Sequence, residues 1–144
     1  MNGLMSFLES QRANGHLVLR LAVGIVLTFA GYHKLFVAGI PQIQETFASG
    51  GLPLAQVLGA VVPILEFFGG IAIILGILTR LLGIWMVIQF GLITVWIKPM
   101  LWGQGFDKST IDVMMFAAGV VLATAGAGIA ALGPKILRGM RWAE

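Results

Sequence analysis

Four long apolar stretches, at residues 17–37, 54–78, 81–97 and 111–132, limit this chain to very few folds. A helix needs roughly 20 mostly apolar residues to cross the hydrocarbon core of a bilayer. Each stretch approaches or exceeds that length, and together they take up most of the 144 residues. Charged residues make up only 10% of the chain, against roughly 25% in an average soluble domain. A soluble chain this short could not hide so much apolar surface. The expected fold class is all-α: a polytopic membrane protein, one domain over residues 1–144, built as a bundle of four transmembrane helices.

The connections differ in kind. Only Thr79 and Arg80 separate the second and third stretches, which predicts a tight antiparallel hairpin. Residues 39–53 read GIPQIQETFASGGLP, and their Pro and Gly punctuation brackets a short piece expected to lie along the interface. Between the third and fourth stretches, Trp102 and Phe106, with Trp96 just before, read as interface anchors. Gly133-Pro134 is the expected stop of the last helix. Residues 1–16 carry Glu9 and Arg12 and lack an A-x-A cleavage site. They read as an amphipathic lead-in rather than a secretory signal.

The nine Lys and Arg residues divide unevenly. Arg12, Arg20, Arg80, Lys135, Arg138 and Arg141 fall on one side, and Lys34, Lys98 and Lys108 on the other. The positive-inside rule then places both termini and the Arg80 turn in the cytoplasm, with the two longer loops outside. For a bacterial chain this is the cytoplasmic (inner) membrane. The basic residues form no patch interleaved with aromatics, so nucleic acid is not an expected partner. The absence of cysteine excludes disulfides, thiolate metal sites and a cysteine nucleophile, and two histidines make no metal site.

Charged residues inside a span cost about 2.5–3.5 kcal/mol each on insertion scales, and they usually face the bundle or a wet cavity. At about 100° per residue, Arg20, Gly24, Gly31 and Lys34 share one stripe. Glu66 shares another with Gly59, Pro63 and Gly70, and Asp112 a third with Gly119, Ala123 and Gly126. Small residues let membrane helices approach closely, so these stripes turn Lys34, Glu66 and Asp112 toward the bundle interior. Lys34 and Glu66 fall at similar depth, with Asp112 above them. Gln89 shares a face with Trp85 and Trp96. The expected site is an outward-opening polar pocket of Lys34, Glu66 and Asp112, edged by His33, Gln89, Trp85, Trp96 and Trp102. Glu66 is its candidate catalytic group. Two readings of Lys34 and Glu66 stay open: a ligand site, or an ion pair that fixes helix packing. Arg20 lies too far along its helix to reach Glu66 and is expected to snorkel to the inner headgroups. Asp112 also sits where a carboxylate favours a helix N-terminus. Pro63 removes a helical hydrogen bond one turn before Glu66.

These residues carry a family resemblance. RLAVGIVLTFAGYHKLF resembles the first helix of the DoxX family, with Arg20, Gly24, Phe29, Gly31 and Lys34 in place. PILEFFGGIAIILGILTR resembles its second, with Glu66, Gly69, Gly70, Gly76 and the Thr79-Arg80 turn in order. A GQGF loop precedes an acidic residue at the start of the last helix, here Asp112 where the family commonly has Glu. Gly126 to Gly128 stand where the family often reads Gly-Pro-Gly, and the usual Ser-Leu-Asp after it is absent. The resemblance covers about residues 17–130. It implies four membrane helices and a link to thiosulfate:quinone oxidoreductase, oxidative-stress complexes or the maturation of other enzymes. The implied cofactor is a quinone or a similar lipid-soluble molecule. The implied partners are the lipid bilayer and either other subunits of a membrane complex or further copies of the chain. Two functions follow: a redox-associated subunit that binds quinone, an oxidoreductase subunit if it is catalytic, or a non-catalytic accessory or assembly subunit. A transporter is disfavoured, because the sequence has no inverted repeat.

Overall fold

The computed structural model describes residues 2–128, 131 and 132. Five α-helices carry the fold: α1 Asn2–Tyr32, α2 Ile40–Ser49, α3 Ala55–Leu75, α4 Thr79–Leu92 and α5 Thr110–Ala125. Two segments of wider, π-helical turn prolong α1 and α4, over His33–Ala38 and Ile93–Leu101. A short 3₁₀ turn, Phe106–Ser109, leads into α5. No strand occurs among the described residues. Four segments are long and apolar enough to span a bilayer: Asn14–Ala38, Ala55–Leu75, Thr79–Leu101 and Phe106–Ala125. The protein is thus the all-α, four-span membrane bundle that the hydropathy pattern predicts.

The helices associate as two antiparallel pairs. α1 packs extensively on α3, and α4 on α5, whereas α3 and α4 meet at few points although they follow each other in the chain. The expected short connection is present, but the two helices it joins do not pack along their length as a tight hairpin would. Glycine decides the pairing, because lipid supplies little hydrophobic drive between helices and close backbone approach must replace it. A Cβ on Gly70 would sit 2.5 Å from the Thr28 backbone nitrogen and 2.7 Å from the Gly24 carbonyl oxygen. On the other pair, a Cβ on Gly83 would sit 2.5 Å from the Ala123 nitrogen and 2.9 Å from the Gly119 oxygen. Gly70 on α3 thus serves the approach of α1, and Gly83 on α4 that of α5. Above their shared turn, α3 and α4 are left apart. That turn is Gly76–Leu78, so Thr79 and Arg80 already belong to α4. Thr79 is buried and Arg80 exposed.

Leu27, Ile73, Met86 and Leu122, one from each long helix, are fully buried and join the pairs into one core. Below that core α5 stops at Ala125, where Gly126 takes φ 75°, so the Gly126–Gly128 run terminates the helix instead of lying inside it. The last span ends earlier than residue 132, and Gly133-Pro134 lies outside the described residues. So do Lys135, Arg138 and Arg141. An early stop leaves carbonyls in need of donors. α1 supplies them from one face: His16 Nε2 bonds the Gly126 carbonyl at 2.6 Å, and the Arg20 guanidinium donates to the Ala127 carbonyl. Arg20 is 1% exposed. The expected snorkelling of Arg20 is therefore wrong. The buried guanidinium instead helps close the end of α5.

The piece bracketed by Pro41 and Pro53 is a helix of its own, α2, which packs on α3. Leu54, between α2 and α3, holds φ 54°, in the left-handed region. A side chain there costs roughly 1–2 kcal/mol, and the Leu54 side chain is 73% exposed, so it contributes little packing in return. Leu54→Gly is expected to leave the apparent Tm unchanged or raise it slightly, since relief of strain offsets the roughly 0.5–1 kcal/mol backbone-entropy cost of glycine. A clear fall in Tm in detergent would show that the left-handed turn is held by something other than strain tolerance.

Candidate functional site

The gap between α3 and α4 widens above the core into a partly open cavity of about 490 Å³. It begins beside the Leu27–Ile73–Met86–Leu122 level, at Trp85, and rises from there past Glu66 and Gln89 to Lys98 and Asp112. Its walls are mostly aliphatic, among them Val61 and Leu65 from α3 and Ile88 and Leu92 from α4. Over its upper end lie Phe47 of α2, Leu52 and Trp102. The Trp102 indole nitrogen packs directly against Gly50, where a Cβ would collide with it.

The polar groups gather in the same cavity as two ion pairs. Lys34 Nζ lies 2.5 Å from Glu66 Oε2, and Lys98 Nζ lies 2.5 Å from Asp112 Oδ2. Gln89 Nε2 donates to the second oxygen of Glu66 at 2.8 Å. Lys98 Nζ also donates to the Lys108 carbonyl at 2.5 Å. Each contact joins different elements: Lys34–Glu66 spans the first helix pair, Lys98–Asp112 spans the second, and Gln89–Glu66 bridges the two. Two ammoniums face two carboxylates, so the lining carries no net charge. The Glu66 side chain is 3% exposed and that of Lys34 is 31%, so the deep member of the first pair is the acid. Both lysines sit in the π-helical prolongations, which turn side chains away from the α-helical register and recur at functional sites.

The local sequence explains the placement. Glu66 follows buried Pro63 by one turn on the inward face of an unbroken α3. Gly70, one turn further on, lets α1 come close enough for Lys34 to reach the carboxylate. Gly69 faces α4: a Cβ there would lie 3.3 Å from Leu82 and in ordinary contact, 3.6 Å, with the Trp85 ring. Trp85 packs against the core and lines the cavity floor. Asp112 is two residues into α5 and is buried, and its partner is Lys98 rather than a helix-capping amide.

Of the residues expected at the site, Lys34, Glu66, Asp112, Gln89, Trp85 and Trp102 line the cavity. His33 and Trp96 do not: both are exposed, and neither is among the lining residues. His33 adjoins Lys34 in the chain but points to a different face. Trp96 was placed with Gln89 by α-helical spacing, and the change to π-helical turns after Leu92 breaks that register. Lys98, which lies beyond the third apolar stretch of the sequence, is a further polar group of the cavity. The signal that could have found it is a lone lysine at the end of one span facing a lone carboxylate at the start of the next.

Comparison with known proteins adds to this geometry. A sequence profile of the DoxX family matches residues 15–99, more than half of the chain, including Lys34, Glu66, Gln89 and Lys98. Over 131 residues the chain is 28% identical to a Bacillus subtilis (strain 168) protein described as "Putative oxidoreductase CatD". That alignment covers 88% of this chain and 90% of the relative. No solved structure matches the chain significantly.

Proposed function

Because this chain belongs to the DoxX family, we propose that it is a redox-associated membrane subunit whose cavity binds an uncharged, lipid-soluble molecule of the quinone class. The observation that carries this reading is the cavity itself: apolar walls with two balanced ion pairs and an amide at one end. Its volume falls in the range of roughly 300–1,000 Å³ usual for small-molecule sites. An ionised ligand would bring an uncompensated charge into a lining that already balances its own, at a large desolvation cost. A neutral ring with polar oxygens meets donors and acceptors without that cost. In this reading Lys34 donates to a quinone oxygen and Glu66 handles the proton of the reduced form. Trp85 or Trp102 stacks on the ring. Lys98 and Asp112 offer a second donor and acceptor. The oxidoreductase description of the Bacillus relative supports a redox setting.

The same reading sets the protein in the bacterial cytoplasmic membrane with both termini in the cytoplasm, as the distribution of Lys and Arg suggests. Purification from native membranes followed by solvent extraction and mass spectrometry is expected to recover a quinone in near-stoichiometric amount. Added short-chain quinone is expected to raise the apparent Tm of the stripped protein by several degrees, since a ligand at 100 times its Kd adds about 2.7 kcal/mol. No co-purifying quinone together with an unmoved Tm would remove the basis of the proposal.

A second reading, a non-catalytic accessory or assembly subunit, draws on the exposed apolar flank of α1, where Val18, Ile25, Phe29 and Phe36 face outward. A partner helix would fit there as well as lipid does. Mild solubilisation and pull-down decide it: recovery of a lone chain or homo-oligomer counts against this reading.

A further inference from the structure

The cavity has two possible ways out, and they differ in chemistry. At its upper end Phe47, Leu52 and Trp102 close over it, with Trp102 wedged against Gly50. At its side the walls themselves face outward: Val61, Ile88 and Leu92 line the cavity and are also 42%, 58% and 47% exposed. Those three residues flank the gap left because α3 pairs with α1 and α4 with α5. The gap lies within the spans Ala55–Leu75 and Thr79–Leu101. Its opening is therefore at bilayer depth and faces hydrocarbon rather than water.

We infer that the ligand enters sideways from the bilayer between α3 and α4, and that it carries a long aliphatic tail which stays in that gap when the polar ring reaches Lys34, Glu66 and Gln89. This rests on the reading given under Proposed function and adds a route and a tail to it. A polar head would be held at the two ion pairs. A hydrocarbon chain leaving past Val61, Ile88 and Leu92 would bury apolar surface on both helices and spare them the poor contact they make with each other. A ring without a tail would leave that gap to lipid and gain nothing from it. The tail thus becomes a specificity determinant, and Ile88, at the mouth, its most exposed wall.

The test uses the full-length protein in phosphatidylcholine nanodiscs and a benzoquinone bearing a decyl chain with a terminal diazirine. Photolysis followed by peptide mapping is expected to label α3 and α4 around Val61, Ile88 and Leu92, and unlabelled decylbenzoquinone is expected to abolish that labelling. Ile88→Trp is expected to slow capture at least tenfold, whereas Ile25→Trp on the outward flank of α1 leaves the rate unchanged. Competed labelling confined to Phe47, Leu52 and Trp102 would overturn the lateral route while leaving a quinone site standing. So would a tailless benzoquinone that competes as well as the decyl compound. Labelling that no quinone competes away, spread over lipid-facing residues such as Ile25 and Phe29, would overturn the quinone reading itself and this inference with it. The wild-type map decides even where Ile88→Trp fails to fold.

Discussion

Glu66→Ala lowers the stability of this protein by about 3 kcal/mol, within the range seen when one partner of a buried ion pair is removed. Three losses combine. Lys34 Nζ loses its counter-charge at 2.5 Å. Gln89 Nε2 loses its acceptor, and its own Oε1 already meets no donor among the described residues. The only hydrogen bond bridging α3 and α4 across the cavity disappears, so far as the described residues show. The partial exposure of Lys34 keeps the cost at the lower end, because water can take up part of its charge. The paired variant Lys34→Met/Glu66→Leu is expected to recover most of the lost stability, since apolar replacement of a whole buried pair is often neutral or better. That double variant separates the two readings of the pair. If the pair only fixes helix packing, the variant keeps every ligand response of the wild type. If the pair belongs to a site, it folds, melts near the wild-type temperature, and no longer gains Tm from added quinone.

Gly83→Ala is the second large effect expected. The atoms that a new Cβ would meet are the Ala123 nitrogen, the Gly119 oxygen and the Leu122 carbonyl carbon, at 2.5–2.9 Å. All are backbone, so no side chain can turn aside, and α4 and α5 must separate. Overpacking of this kind costs about 1–3 kcal/mol, of which alanine's higher helix propensity offsets about 1 kcal/mol at most; contacts with backbone alone put this site at the upper end. Two controls calibrate it. Gly91→Ala would meet only the Phe116 ring at 3.3 Å, and a ring edge can shift. Gly15→Ala meets nothing within 4 Å and is expected to be neutral or slightly stabilising. Apparent Tm in one detergent therefore ranks the variants Gly15→Ala, Gly91→Ala, Gly83→Ala from highest to lowest. A Gly83→Ala protein as stable as Gly91→Ala would mean that close α4–α5 approach is not what holds the second pair.

The four spans were legible in the sequence because hydropathy alone defines them. So were the inward faces of Arg20, Lys34, Glu66 and Asp112, because each shares a helical stripe with small residues. The pairing of helices was not. The turn at Gly76–Leu78 is short enough for a hairpin, and it takes the close approaches at Gly70 and Gly83 to reveal that each helix packs on another partner. The end of α5 was misjudged for a related reason. Apolar residues continue to Leu132, but Gly126 at φ 75° stops the helix first, and the carbonyls it frees are what draw His16 and Arg20 inward. Trp96 falls outside the cavity because a fixed 100° step fails across Ile93–Leu101, where the turns widen, and Lys98 enters it because the helix runs past residue 97. Apart from the pairing, what the linear pattern missed was set by backbone departures from the regular α-helix, at the left-handed Gly126 and at the π-helical end of α4.

In the proposed reading, the space between the two helix pairs is a ligand site with its polar end at Glu66. A density map of the protein taken from native membranes, without added ligand, tests this most directly. The claim predicts a ring-sized feature against Lys34, Glu66 and Gln89, continuous with a chain that leaves between α3 and α4. A map in which α3 and α4 close on each other, with Glu66 paired to Lys34 and no space beside them, would contradict it.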